Sequence, residues 1–422
     1  MDQRTSERFD EVKLALYHPW IYVTGGIERT LLSIVTRSRH DWTLYTHHYD
    51  SASTFPGLRD ARIVVLDPQV SVRRALPALA QAAYRIHKTE LPLRDEQGLL
   101  VSSEGLGDFI LANNNLPTVC YCHTPLKILH DPVTRAALRS RSFRKYAALR
   151  MLAPGFNAVD RRMWKKYQYV LANSQETAHR IENAGLPVDE IEVLHPGVDL
   201  DQFTLHPTLP RERFFLVAGR IMWEKRIELA IQALRVARQN GTDASLVIAG
   251  GVDSKSRPYL ETLRQHAAGL PVEFLIHPSD EELAALYARC MAVVFTAPNE
   301  DWGIVPLEAM ASGAPVLAVD AGGPRESVIH NVTGWLLPPT PWAFAEQMKI
   351  VADDGPTGRL ISRRATRRRA QQFAADTFVQ RLDDVMEEVV NSGAVARPIL
   401  PATQLPVHPQ QIARSAAEDS RA

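Results

Sequence analysis

The stretch Glu300-Asp301-Trp302-Gly303-Ile304-Val305-Pro306-Leu307-Glu308 follows the apolar run 292–296, Ala-Val-Val-Phe-Thr, with a short loop between them. That run reads as a strand covered on both faces, because its residues are apolar without alternation. The stretch after it reads as a loop that becomes a helix over 305–311. Pro306 suits the first turn of that helix, and Gly313 suits its end. In an open parallel sheet, ligands bind outside the carboxyl ends of the strands. Glu300 therefore falls in a ligand loop, and Glu308 lies about one turn into the following helix. Gly303 lets the backbone approach a ligand closely. The amides that open the helix lack helical partners and can donate to hydroxyl or phosphate oxygens.

The same alternation of strand and helix extends to both sides, which is the pattern of a parallel α/β sheet. Upstream lie strands at 214–218, 245–249 and 272–276. Between them the pattern predicts a helix from Glu224 to Gln239, ended by Asn240-Gly241, and another from Pro258. A third starts after Ser279, with Glu282 three residues on as a capping box. Downstream, the strand 316–319 completes this sheet. Gly219-Arg220 follow the strand 214–218 directly, and Lys225 lies five residues on. Two cations at a carboxyl end suit a diphosphate, whose developing charge they would stabilise as a metal ion does elsewhere. Gly322-Gly323, after the last strand, would offer further backbone amides to a ligand.

The first half repeats the theme more faintly. Strands are predicted at 12–17, 42–45, 62–66, 99–102, 118–122 and 169–172. Gly25-Gly26 precede a helix from Ile27 and form a candidate phosphate nest. This is not the Gly-x-Gly-x-x-Gly dinucleotide pattern. The segment 135–164 reads as mostly helical, with a break near Pro154-Gly155. His123 closes the strand 118–122, where a hydrogen bond to a hydroxyl or carbonyl is the favoured role. Its neighbours Cys120 and Cys122 lack the further ligands that zinc needs. The irregular, proline-bearing stretch 198–213 marks the domain boundary. Asp376 to Val390 has helical periodicity, and the sequence from Asn391 reads as a disordered tail.

Composition bounds the function. The 422 residues allow two domains plus extensions, and 45% of them are apolar. A formal net charge of zero gives no general attraction to nucleic acid. Three cysteines cannot staple a chain of this length, so a reducing compartment is expected. The N-terminus carries no apolar leader, and no uninterrupted apolar run reaches about 18 residues. A cytoplasmic location is expected. The basic stretch Arg135, Arg139, Arg141, Arg144, Lys145 and Arg150, continued by Arg161, Arg162, Lys165 and Lys166, leaves two readings open. One is a solvated helical face; the other is contact with an anionic lipid or lipid-diphosphate acceptor at the inner face of a membrane. The arginines 363, 364, 367, 368 and 369 read as a solvated helix.

Taken together, these motifs resemble glycosyltransferase family 4. The run from Glu300 through Gly313-Ala-Pro-Val to Gly322-Gly323-Pro-Arg-Glu-Ser carries the resemblance, with His195-Pro-Gly-Val-Asp199, Tyr121-Cys-His-Thr-Pro125 and Asn173-Ser-Gln175. The wording is most similar to GDP-mannose-dependent mannosyltransferases. The resemblance implies the GT-B fold: two Rossmann-like doubly wound domains facing each other across a cleft. It implies an acceptor-side domain over 1–205, a nucleotide-sugar domain over 206–375, a helix 376–392 crossing back to the first, and a tail over 393–422.

It also implies a retaining transfer of a hexosyl group from a nucleotide sugar, with no metal and no cofactor. Arg220 and Lys225 would contact the diphosphate. Glu300 and the backbone of Asp301, Trp302, Gly303, Ile304 and Val305 would hold the sugar. Glu308 would bind the ribose, His123 the sugar, and Gly25 and Gly26 would lie near the diphosphate. Gly219, Gly322 and Gly323 complete the donor contacts. The sequence departs from many relatives at Ile276-His277-Pro278, where they carry glycine near the base pocket.

Competing readings stay in play: a UDP-sugar-dependent transferase, or a non-catalytic nucleotide-sugar-binding protein. A phosphorylase would need a pyridoxal lysine region, and a dehydrogenase the glycine fingerprint. The acceptor, the linkage and the oligomeric state carry no sequence code.

Overall fold

The computed structural model describes residues 11–70, 76–355 and 358–392. The tail expected over 393–422 lies outside the described residues. The chain divides into two compact units. Of the described residues, the first comprises 11–173, 177–194 and 379–392, and the second 174–176 and 195–378.

The first unit holds seven strands: β1 (Lys13–Tyr17), β2 (Asp41–Thr46), β3 (Ile63–Val65), β4 (Gly98–Ser103), β5 (Thr118–Cys122), β6 (Tyr169–Ala172) and β7 (Glu192–Val193). They run parallel in the order β3-β2-β1-β4-β5-β6-β7. The second holds β8 (Phe214–Ala218), β9 (Ser245–Gly250), β10 (Val272–Ile276), β11 (Ala292–Phe295), β12 (Val316–Val319) and β13 (Gly334–Leu337). These are also parallel, in the order β10-β9-β8-β11-β12-β13. Both are doubly wound sheets, and this is the GT-B fold class. In each, the order reverses at the first strand, so the ligand crevices open beside β1/β4 and β8/β11.

The continuous apolar strands have a direct physical reading. Successive side chains of a strand point to opposite faces. In β8, Phe215 and Val217 enter one core cluster while Phe214 and Leu216 enter another. Leu246 and Ile248 against Val247 and Ala249, and Leu317 and Val319 against Val316 and Ala318, split in the same way. With helices on both faces, no strand face is left for water, and alternation is lost.

Several expectations need correction. β13 extends the second sheet beyond 316–319; its core residues Trp335 and Leu337 pack with the helix Pro341–Asp354. The helix expected from Glu224 begins instead at Ile227, because Arg226 takes a left-handed conformation (φ 52°) after a 3-10 turn, Trp223–Lys225. The break in the long basic segment falls at Ser142, whose side chain caps the helix Phe143–Trp164, and not at Pro154-Gly155. Pro154 sits inside that helix on its exposed side, where water can satisfy the carbonyl it frees.

The units divide at Leu194/His195, ahead of 198–213, because Val198 and Phe203 are buried in the second unit's core. The final helix, Ala375–Ser392, joins the first unit from Val379 onward. There Asp383 accepts from Ser38 Oγ at 2.6 Å and Arg39 N at 3.0 Å, and Arg381 grips Glu192 at 2.8 and 2.7 Å.

The arginines of Arg363–Gln371 are only in part a solvated face: Arg364 is exposed, while three others bind carbonyls. Arg363 donates to Ala288 and Leu209 carbonyls, Arg367 to those of Leu200 and Ala311, and buried Arg369 to Ser327 O at 3.0 Å. A guanidinium carries five donors, so it can satisfy carbonyls left at the ends of several elements.

Candidate active site

The second unit gathers its candidates at the switch point beside β8 and β11. Gly219 (φ 110°) and Arg220 leave β8, and the loop to Ile304 leaves β11. Lys225 Nζ meets Glu300 Oε2 at 2.6 Å, with both side chains about a quarter exposed. Thr296 Oγ1 donates to Lys225 O at 2.7 Å and ties the two loops together. Among the described residues Arg220 has no hydrogen bond or ion pair, although its charge helps hold the Asp253 carboxyl below its usual range, behind the hydrogen bonds from Ser256. One free cation and one lightly paired cation at a carboxyl end can hold an anionic group.

The loop 299–304 is fixed from beneath by Trp302. Its side chain is 3% exposed, stacks on His195 at 4.3 Å and packs on Phe373 at 5.2 Å. Its Nε1 donates to Pro196 O at 3.2 Å. The side chain is thus committed to the core, and only the backbone of Trp302 is placed as the site requires. Gly303 takes φ 85°, which a side chain would strain. Ile304 and Val305 lead into the helix Val305–Ala311. Glu308 lies in its first turn, buried, and accepts from Tyr287 OH at 2.7 Å.

Gly322 and Gly323 pack closely against the loop that carries Glu300. Gly323 N donates to Glu300 O at 3.1 Å, so that amide is already used. A Cβ on Gly323 would sit 2.1 Å from Trp302 O, and one on Gly322 2.3 Å from Glu300 O. The pair lets this turn press against the 299–304 loop, and so holds Glu300 in place. Glu326, just beyond, accepts from the amides of Gln175 and Glu176 at 2.8 and 3.0 Å and pairs with His195 Nε2 at 2.9 Å. At the departure from the family pattern, His277 takes φ 56° and donates its amide to Gly250 O at 3.1 Å. The left-handed turn survives there without glycine, in a residue type enriched in that region.

The first unit holds the remaining candidates. Gly25 caps and Gly26 opens the helix Gly26–Arg37. A Cβ on Gly25 would lie 2.6 Å from Glu28 Oε2, so a buried carboxylate already faces this helix start. A phosphate nest there would meet a like charge. His123 leaves β5 at its carboxyl end, 5% exposed. Its Nε2 lies 2.8 Å from Ser102 Oγ, which lies 3.2 Å from His18 Nδ1. Burial, and then the His18 charge, push the His123 imidazole down to about 3. Tyr287, Thr296, His18 and Ser102 carry no motif of their own; only the folded chain brings them to these sites.

The depressed His123 value has a testable sign. In the fold it is pushed down to about 3, below the ordinary imidazole range, so the neutral ring is the folded form throughout the physiological range. Its contribution to stability is complete above about pH 6.5 and is lost as pH falls toward 3. His123→Gln is expected to lower kcat/KM roughly tenfold through a lost hydrogen bond, while the pH–rate profile between about pH 5 and pH 8 keeps its shape. A limb that disappears with the histidine would show that it titrates during turnover.

Two doubly wound parallel sheets with charged loops at their switch points define the class of GT-B fold proteins. The comparisons agree. The family described as "Glycosyltransferase Family 4" matches residues 24–202, and "Glycosyl transferases group 1" matches residues 204–373. The human Alpha-1,3/1,6-mannosyltransferase ALG2 is 29% identical over 296 residues, covering 65% of this chain and 68% of that protein. The GDP-mannose-dependent alpha-(1-6)-phosphatidylinositol monomannoside mannosyltransferase of Mycobacterium tuberculosis is 33% identical over 252 residues, 53% of this chain and 63% of that one. The Anabaena protein Alr3699/HepE, solved with UDP, superposes with a TM-score of 0.65 at 20% identity, covering 89% of this chain and 99% of its own. The chain belongs to glycosyltransferase family 4 and is a hexosyltransferase.

Proposed function

We propose that the chain transfers mannose from GDP-mannose to a hydroxyl acceptor, with retention of configuration and without a metal ion. The observation that carries the reading is Lys225 paired with Glu300, with Arg220 just past the carboxyl end of β8. Two cations there suit the charge that develops on a leaving diphosphate. The names of the mannosyltransferase relatives supply the sugar and, in one case, the guanine nucleotide.

In this reading the diphosphate draws Lys225 from Glu300 and frees that carboxylate for the sugar hydroxyls. Glu308, oriented by Tyr287, receives the ribose. The bond from anomeric carbon to diphosphate oxygen breaks, and the acceptor oxygen bonds that carbon on the same face. The acceptor proton passes to the diphosphate. Glycan, lipid-linked glycan and small-molecule hydroxyls are the acceptor classes, at a cytoplasmic location with contact to a membrane.

The test is nucleotide-diphosphate release from GDP-mannose, UDP-glucose, UDP-GlcNAc, UDP-galactose and ADP-glucose, each with and without chelator. Release from GDP-mannose alone, unchanged by chelator, is the expected result. Release from a UDP-sugar replaces the donor, and loss restored by Mg²⁺ overturns the metal-free reading.

A further inference from the structure

At the switch point of the first unit, three neighbouring strands bring together groups that touch one another. His18 follows β1, Ser102 lies near the end of β4, and His123 follows β5. All three are buried, at 2%, 1% and 5% exposure. Ser102 Oγ stands between the two rings, 2.8 Å from His123 Nε2 and 3.2 Å from His18 Nδ1. His18 Nδ1 is also 2.9 Å from the Ser102 carbonyl oxygen. The His18 and His123 rings stand edge to face at 6.4 Å, and Tyr121 packs edge-on against His123 at 5.1 Å. The His123 imidazole is thus packed on two sides and bonded at one nitrogen.

The positions of the protons follow from which atoms can accept. A carbonyl oxygen only accepts, so His18 Nδ1 carries a proton and donates it to Ser102 O. A protonated ring nitrogen has no lone pair left, so the Ser102 hydroxyl cannot donate to His18. Ser102 Oγ has no further partner among the described residues, and His123 Nε2 is the acceptor within its reach. Were Nε2 itself protonated, the serine proton would be buried without an acceptor, at the full desolvation cost of that group. His123 Nε2 therefore accepts. Burial keeps this ring neutral, and a neutral ring with Nε2 accepting carries its proton on Nδ1. Nδ1 forms no hydrogen bond among the described residues, which leaves it as the ring nitrogen for a ligand.

We propose that Ser102 is a positioning residue: its hydroxyl locks His123 in the Nδ1–H tautomer, so that His123 meets a sugar hydroxyl only as a hydrogen-bond donor. The sugar contact rests on the transferase reading above; the tautomer does not. Such a ring takes a hydroxyl or phosphate oxygen and refuses an ammonium group, which has no lone pair to offer. The full chain, labelled with 15N-histidine, is examined by two-bond 15N–1H correlation, which separates the protonated from the unprotonated ring nitrogen. The His123 signals are those lost in His123→Gln. With no donor added, the wild type is expected to show a protonated Nδ1. Ser102→Ala should turn this into a mixture of both tautomers and lower kcat/KM roughly fivefold for whichever nucleotide sugar is hydrolysed, the equivalent of one hydrogen bond. Ser102→Thr, which keeps the hydroxyl, should restore the tautomer and most of the rate. A protonated Nε2 in the wild type overturns the proposal, and this spectrum decides alone should Ser102→Ala fail to fold. A Ser102→Ala protein that loses rate while His123 keeps its proton on Nδ1 also overturns it, since Ser102 would then act on packing alone. If no nucleotide sugar is hydrolysed, the transferase reading falls and the tautomer result stands.

Discussion

Glu300→Ala is expected to lower kcat for sugar transfer about 10³-fold with little loss of stability. The size follows from removing a charged hydrogen-bonding group from a preorganised site, where a single donor or acceptor is worth about 10² to 10³ in rate. The stability estimate rests on exposure. Glu300 and Lys225 are each about a quarter exposed, and such an ion pair contributes about 1 kcal/mol or less. That corresponds to a few degrees of Tm at most in a domain of this size. Lys225→Ala should cost a comparable factor, and the double variant should lose less than the product of the two, because the groups share one interaction. Steady-state kinetics of the three variants beside their melting curves decide the matter. A wild-type rate in Glu300→Ala removes Glu300 from the mechanism; a rate that falls only in step with Tm makes it structural.

Trp302→Ala has the opposite signature, with a loss of stability of about 3–5 kcal/mol, as for other large aromatic truncations in a core. Trp302 fills the space between His195 and Phe373, and its Nε1 satisfies the Pro196 carbonyl. Truncation leaves both a cavity and an unpaired carbonyl. Tm should fall by about 6–20 °C. Trp302→Phe keeps a ring and loses the hydrogen bond, so about 1 kcal/mol is expected. The truncated enzyme should also turn over slowly well below its Tm, because the loop that carries Glu300 rests on this ring. An unchanged Tm in Trp302→Ala, measured by calorimetry, would mean that the loop is held from elsewhere.

The two variants separate what this loop does in solution from what it does in the core, and the sequence is unequal to that separation. Glu300 and Trp302 stand in one motif, two residues apart. A strand pattern with a charged loop at its end places both at a ligand edge. Only the folded chain turns the carboxylate toward Lys225 and the indole away from it. Gly322 and Gly323 show the same limit. A pair of glycines after a strand reads as an amide nest, and in the fold it also makes a close approach between two backbones.

What the sequence determined by itself was the pair of parallel sheets. Buried strands in a doubly wound sheet must be apolar on both faces, and that demand is written locally, residue by residue. Most strands were legible for this reason, as was the capping box of Ser279 and Glu282, which is satisfied within four residues. The carboxyl-end positions of Arg220, Lys225, His123, Glu300 and Glu308 followed from the same order of elements.

The tertiary structure decided what depends on partners distant in sequence. Arg226 takes a left-handed conformation that delays its helix, Pro154 is tolerated within another, and the arginines of Arg363–Gln371 bind carbonyls contributed by residues as far back as Leu200. Ser102 sits 21 residues from His123, and Lys225 75 residues from Glu300. A hydrogen bond or ion pair over such a separation leaves no periodicity in the chain, because its geometry exists only after the sheets have brought the strand ends together.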